Sequence, residues 1–190
     1  MEPPRREAYK DDVKASVSDR VRTITWEDPQ VSRRDAAAIS GLDYLAAISD
    51  GRIPQPPAAR LIGYRLCELE QGRVVFELEP AECHYNPFAT VHGGITATLL
   101  DSAMTAAVLS TLRIGVACST LEMKVNFIRP IAGGAGVVRA EGKVIHVGSS
   151  IATAEGRLHD AQGKLYAHAV TTCAISRVAA ADDAPPRRRP

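Results

Sequence analysis

No two of the four cysteines, Cys67, Cys83, Cys118 and Cys173, form a C-x-x-C pair. That excludes a zinc ribbon and a thioredoxin-like redox motif. His84, His146, His159 and His168 also lack ligand-like spacing, so they read as structural or exposed side chains and no metal is expected. The thiols read as reduced side chains of a cytoplasmic protein. Neither sign of charge is in excess: 23 Lys and Arg stand against 22 Asp and Glu, a formal net charge of +1. Residues 1–20 hold five of each sign, and the last ten hold three basic and two acidic side chains. No basic domain hides behind the average, and no nucleic-acid partner is expected. The opening Met1-Glu-Pro-Pro-Arg-Arg-Glu lacks an apolar run, so no secretory leader is expected. The most apolar stretch, Ile95 to Cys118, is interrupted by Asp101 and Arg113, which argues against a membrane helix. Aromatics are only 5%, so no ring-stacking cage is evident.

What is present suits one domain with a real core: 190 residues, 45% hydrophobic and 24% charged. Residues 1–20 read as a flexible arm and 179–190, ending Pro-Pro-Arg-Arg-Arg-Pro, as a disordered tail. Residues 21–58 hold a helix from about Arg33 to Ser49, with Ser32 as its N-cap and Gly51 as its stop, and then a Pro-rich connector. Residues 59–178 form the main domain. Leu61–Leu69 and Arg73–Glu79 read as strands around a Gln71-Gly72 turn. Ile95 to about Leu112 has helical spacing and is nearly all small or apolar. Strand patterns then return at Ser119–Arg129, Val137–Val147, Ser150–His159 and Leu165–Ser176. The short turns between them favour antiparallel hairpins. A helix apolar nearly all round must be covered on most of its surface. One antiparallel sheet can do this by curling around it, which predicts an α+β fold.

The chemistry is concentrated in His84-Tyr-Asn86-Pro-Phe-Ala-Thr-Val-His92-Gly93-Gly94-Ile-Thr-Ala-Thr-Leu-Leu-Asp101. His92-Gly93-Gly94 stands where a loop enters the apolar helix. Helix N-termini present unpaired N–H groups and the positive end of the macrodipole, and glycine lets a ligand approach them. Such a place holds an anion or polarises a carbonyl oxygen. Asp101 lies inside the same helix with nothing basic one turn away on either side. A carboxylate on so apolar a face is a candidate base or nucleophile. Gly93 and Asp101 are eight residues apart, about 12 Å at ~1.5 Å per residue. They cannot serve one carbonyl from the same chain. A second, antiparallel copy of the helix brings Asp101 of one chain to Gly93 of the other, so a joint site is expected across a homodimer.

The run Asn86-x5-His92-Gly93-Gly94-x6-Asp101 resembles the hotdog-fold acyl-CoA thioesterases of the PaaI / acyl-CoA thioesterase 13 type. The resemblance covers about Leu61 to Ser176. It implies a curved antiparallel sheet wrapped around one long helix, and cleavage of acyl-CoA to free acid and CoA. It implies Asp101 as nucleophile or general base, the Gly93 N–H on the thioester carbonyl, and Asn86 and His92 placing the water or supporting the turn. Relatives complete the site with a hydroxyl, either four residues after the acid, here Thr105, or on the following strand, here Thr120 beside Ser119. Both are present, and the choice stays open. Gly94, Ser119 and Arg129, the last in Asn126-Phe-Ile-Arg129-Pro130, are expected to touch substrate or coenzyme A. The stretch Gly51–Gly63 resembles an N-terminal extension that walls the acyl pocket. A homodimer, associated as a dimer of dimers, is implied, with no cofactor beyond the coenzyme A of the substrate. Two other activities fit the same fold: a non-catalytic acyl-CoA binding or sensing domain, and an enoyl-CoA hydratase or dehydratase.

Overall fold

The computed structural model describes residues 20–177. The expected arm and tail lie outside these residues, apart from Arg20. Four helices and six strands follow one another as α1 (Pro29–Ala38), α2 (Gly41–Ser49), α3 (Pro57–Ile62), β1 (Arg65–Glu70), β2 (Arg73–Leu78), α4 (Gly93–Leu109), β3 (Val116–Phe127), β4 (Val138–Val147), β5 (Ile151–Asp160) and β6 (Leu165–Arg177). The strands form one sheet in the order β1-β2-β4-β5-β6-β3. Every pairing is antiparallel. No helix among the described residues is long and apolar enough to cross a membrane.

The sheet curls around α4 as the apolar spacing requires. Leu99, Leu100, Ala103, Met104 and Val108 are fully buried. The helix can lie this close because Gly142 and Gly156 face each other across β4 and β5. A Cβ at Gly142 would fall 2.2 Å from the Ala103 carbonyl oxygen, and one at Gly156 3.0 Å from the Met104 side chain. These two positions set a groove in the middle of the sheet. Ser110 closes the far end: its Oγ accepts from Gly72 N at 2.7 Å, tying the β1–β2 turn to the end of α4.

Two sequence expectations need correcting. The helix expected over Arg33–Ser49 is two helices, and Ser32 is not a cap. Asp28 caps α1 by accepting from Gln30 N at 2.9 Å, ahead of Pro29, which suits the first helical position. Ser40 caps α2 by accepting from Asp43 N at 3.2 Å. Tertiary packing imposes the break. Gly41 N donates to Leu112 O at 3.0 Å, and a Cβ at Gly41 would fall 1.8 Å from Leu109 O. The chain must therefore turn at Ile39–Ser40 for α2 to lie against the end of α4. The second correction concerns Leu61 and Ile62, which close α3 and do not open β1. Pro57 pre-sets the first helical turn, and Gly63 ends the helix at φ +90.

Candidate active site

The site is built on α4 and the strand after it. Asp101, Ser102, Thr105, Ala106 and Leu109 recur at helical spacing and form one wall of an apolar cavity of about 450 Å³. Leu66 and Phe76 supply its sheet side, and Leu45, Ile48 and Pro56 close it from the N-terminal helices and connector. Asp101 is half-buried at the polar end. Thr120 on β3 donates to Asp101 Oδ1 at 2.7 Å. Thr105 and Thr120 hydroxyls meet at 3.1 Å. With the Thr120 hydrogen committed to the carboxylate, Thr105 is the donor of that pair. The two hydroxyls between which the sequence did not choose thus act in series, Thr105 to Thr120 to Asp101. Asp101 Oδ2 takes no hydrogen bond among the described residues, and Asp101 lines the cavity.

Side chains alternate along a strand. Thr120 and Cys118 share the face toward α4, and Ser119 lies on the other face, away from Asp101. Cys118 Sγ rests 3.6 Å from Thr105 O. Burial, the neighbouring Cys173 and the Asp101 charge push the Cys118 thiol up to about 12. Sequence reasoning missed the Tyr64–Ser102 pair: Ser102 Oγ donates to Tyr64 OH at 2.9 Å beside Asp101. Burial raises the Tyr64 phenol and the Asp101 charge adds to it. The helical face 101/102/105/106/109 is the signal that locates Ser102.

The N-terminal half of the expected site lies elsewhere on the chain. His92 caps α4 through Nδ1, which accepts from Gly94 N at 2.9 Å. Gly94 N–H is therefore spent, while Gly93 N–H has no acceptor among the described residues. Asn86 organises its own loop: Oδ1 accepts from Phe88 N and Thr90 N, and Nδ2 donates to Thr90 Oγ1 at 2.9 Å. His84 ties this loop to the end of α3. Its Nδ1 accepts from Ala81 N at 2.9 Å and its Nε2 donates to Ile62 O at 2.8 Å, while its own carbonyl accepts from His92 N at 2.8 Å. Burial lowers the His84 imidazole from its ordinary value. Gly93 lies in a separate hollow of about 200 Å³ with Asn86, Thr90, Phe127, Arg129 and Tyr166. The Phe127 ring stands over Gly93, 3.4 Å from where a Cβ would lie, which the sequence did not signal. Arg129 Nη1 donates to Leu165 O at 2.6 Å and so also pins the end of β3 to β6. One chain therefore carries two half-sites, an acid with its hydroxyl relay and a bare N–H at a helix start. They stand about 12 Å apart at ~1.5 Å per helical residue.

The thioesterase superfamily matches residues 88–167, which include Gly93, Asp101 and Thr120. Human acyl-coenzyme A thioesterase 13 is 35% identical over 97 residues, covering 50% of this chain and 68% of that one. The 1,4-dihydroxy-2-naphthoyl-CoA hydrolase of Listeria monocytogenes is 28% identical over 116 residues, covering 61% of this chain and 93% of that one. Among solved structures, the E. coli PaaI protein from the phenylacetic acid degradation operon superposes with a TM-score of 0.61 at 20% identity. That match covers 73% of this chain and 96% of that one. The long helix held in a curled antiparallel sheet is the hotdog fold, and the chain belongs to the thioesterase superfamily of thioester hydrolases.

Proposed function

We propose that the protein hydrolyses acyl-CoA thioesters to free acid and CoA in a site completed by a second copy of the chain. The carrying observation is Asp101. It stands at the polar end of an apolar cavity with one oxygen held by Thr120 and the other free. The acyl group lies in that cavity, and the thioester carbonyl accepts the free Gly93 N–H of the other copy. The helix dipole and the N–H stabilise the oxyanion as it forms, often the largest catalytic term. Asp101 either attacks the carbonyl carbon or takes a proton from an attacking water. In both routes the C–S bond breaks and the CoA thiol leaves with a proton. In the general-base route the water oxygen enters the carboxylic acid directly. In the nucleophilic route the acyl group leaves with an Asp101 oxygen, and water attacking the Asp101 carbon of the anhydride restores the carboxylate. Single turnover in heavy-oxygen water separates the two routes, because only direct attack leaves label in Asp101.

Support for the second copy comes from distance and from the sheet. The two half-sites of one chain cannot reach one carbonyl. β3, which carries Thr120, is an edge strand paired only to β6, and it exposes Leu121 and Phe127, at 61% and 58%. Arg129, which lines the Gly93 hollow, is the residue proposed to meet the phosphates of CoA.

The test is thiol release from a panel of acyl-CoAs by wild type and Asp101→Asn. A loss of about a hundredfold or more in a folded variant supports the carboxylate mechanism. No release from any acyl-CoA by wild type removes the reading in favour of a binding domain. The shared site is tested by mixing. Asp101→Asn and Gly93→Pro are each inactive alone, and after subunit exchange the mixture recovers about a quarter of wild-type activity. Half of the dimers are then mixed, and each mixed dimer holds one intact site. A mixture as inactive as its parents places both groups in one chain's site.

A further inference from the structure

The cavity beside Asp101 has a closed far end, and that end is made by a helix outside the stretch that matches the family, residues 88–167. On α4 the cavity wall runs from Asp101 to Leu109, about 12 Å at ~1.5 Å per residue. At the Leu109 end, Leu45 of α2 is buried against Val74, Ala106 and Ala107. One turn on, Ile48 forms the side wall, buried with Ala47 and Ile53. The position of Leu45 is fixed to α4 itself. Gly41 N donates to Leu112 O, and no side chain fits between Gly41 and the Leu109 carbonyl. The helix that stops the cavity is therefore clamped to the helix that carries Asp101. Its distance from the carboxylate is set by backbone contact, not by a loop.

We propose that α2 gauges acyl-chain length, with Leu45 as the stop, and that the site takes a linear, medium-chain acyl group of about ten carbons. This rests on the hydrolase reading for placing the carbonyl at Asp101. An extended chain advances about 1.25 Å per carbon, from C–C bonds of about 1.5 Å at near-tetrahedral angles. A span of about 12 Å therefore takes about ten carbons. The cavity volume of about 450 Å³ suits such a group. Its lining between the ends is mostly aliphatic and aromatic carbon, with the Tyr64 hydroxyl paired to Ser102 and with Tyr44 and Gln55 as uncharged polar groups on the side of the N-terminal helices. Nothing along it offers a charge to a branched or acidic chain except at the rim, where the Arg65 guanidinium is paired with Glu77.

The experiment measures two profiles against chain length, from about six to about sixteen carbons. One is kcat/KM for saturated acyl-CoAs. The other is affinity for S-alkyl coenzyme A thioethers, which lack the carbonyl and cannot be hydrolysed. Wild type is expected to peak near ten carbons in both. Leu45→Ala removes about three carbons of wall, so chains about two carbons longer gain about tenfold relative to the ten-carbon chain. Leu45→Phe moves the optimum the other way. The proposal fails if the wild-type thioether affinity keeps rising to the longest chain, or if both variants leave the optimum in place and scale all lengths equally. The two readings part cleanly. Thioether binding with the expected peak but no hydrolysis removes the enzyme and keeps the gauge, whereas hydrolysis with an optimum indifferent to Leu45 keeps the enzyme and removes the gauge. The wild-type thioether profile needs no variant to fold.

Discussion

Thr120 donates its hydroxyl hydrogen to Asp101 Oδ1 at 2.7 Å, from an edge strand to a helix residue nineteen positions earlier in the chain. This bond fixes the carboxylate's orientation and, through Thr105, links it to a second hydroxyl on its own helix. A hydrogen bond to a charged group contributes about 1.5–3 kcal/mol. Thr120→Val, which keeps the shape, is expected to lower kcat about 10- to 100-fold. Thr105→Val acts only through Thr120 and is expected to cost a few-fold. Steady-state kinetics of the two variants on one acyl-CoA checks this order, and equal losses would contradict the series arrangement.

Gly93 permits a test of one N–H. It is the first residue of α4, where proline is well tolerated because that N–H has no helical partner. His92 before it already has the extended backbone that precedes proline, φ −60 and ψ 134. Gly93→Pro therefore removes the donor while keeping the helix start, and kcat is expected to fall about 100- to 1000-fold. Gly93→Ala keeps the N–H, and its Cβ meets the Phe127 ring at 3.4 Å. It is expected to stay within a few-fold of wild type. Unchanged melting temperatures for both variants would show that the loss belongs to the N–H.

The close seat of α4 predicts a large stability loss at Gly142. A Cβ there would lie 2.2 Å from the Ala103 carbonyl oxygen, and its nearest neighbours are all α4 backbone, with no flexible side chain to yield. Gly142→Ala is expected to destabilise by about 3 kcal/mol or to prevent folding. Gly134→Ala, in a turn with open space around it but φ +78, is expected to cost only about 1 kcal/mol. Urea unfolding of both variants measures the difference.

His84 predicts how stability varies with mild acid. Burial holds its imidazole neutral below the ordinary value of 6.5. The unfolded chain binds that proton more readily, so stability is complete above about pH 6.5 and declines as pH falls toward the lowered value. Protonation would also break the Ala81 N–H bond to Nδ1. Asp160 titrates lower: the Lys164 N–H, the Tyr166 hydroxyl and the Gln162 N–H hold it below the usual carboxylate range. Its stabilisation is lost only as pH falls through that lowered value. Denaturant midpoints at pH 7.5 and pH 5.5, for wild type and His84→Gln, test this. A slope that persists in the variant would assign it to another group.

The thiols should differ in reactivity. With the Cys118 thiol pushed up to about 12, only about one molecule in ten thousand carries the thiolate at pH 8. Cys173 is buried and also raised by burial. Cys83 is exposed. Brief treatment with iodoacetamide followed by peptide mapping should find label on Cys83 and none on Cys118 or Cys173 in the folded protein.

Local pattern alone was enough for much of this molecule. Alternation and turn residues located six strands, and the nearly all small or apolar character of Ile95 to about Leu112 demanded a sheet curled around that helix. The spacing of Gly93 and Asp101 along one rigid rod is by itself enough to separate the two half-sites, because helical rise per residue is nearly constant. Contacts between distant segments were not encoded in any window of residues. Ser32 looked like a cap, yet the helix divides at Ile39–Ser40 because Gly41 meets the Leu109 carbonyl, sixty-eight positions away. Leu61 and Ile62 fit a strand as readily as a helix until Pro57 and Gly63 bounded them as α3. Thr105 and Thr120 each fitted as the hydroxyl partner of Asp101, and only the packing of β3 against α4 joined them in one relay. The same packing set Leu45 at the end of the cavity. Chemistry was legible where it depends on spacing along one element, and tertiary structure decided it wherever two elements must meet.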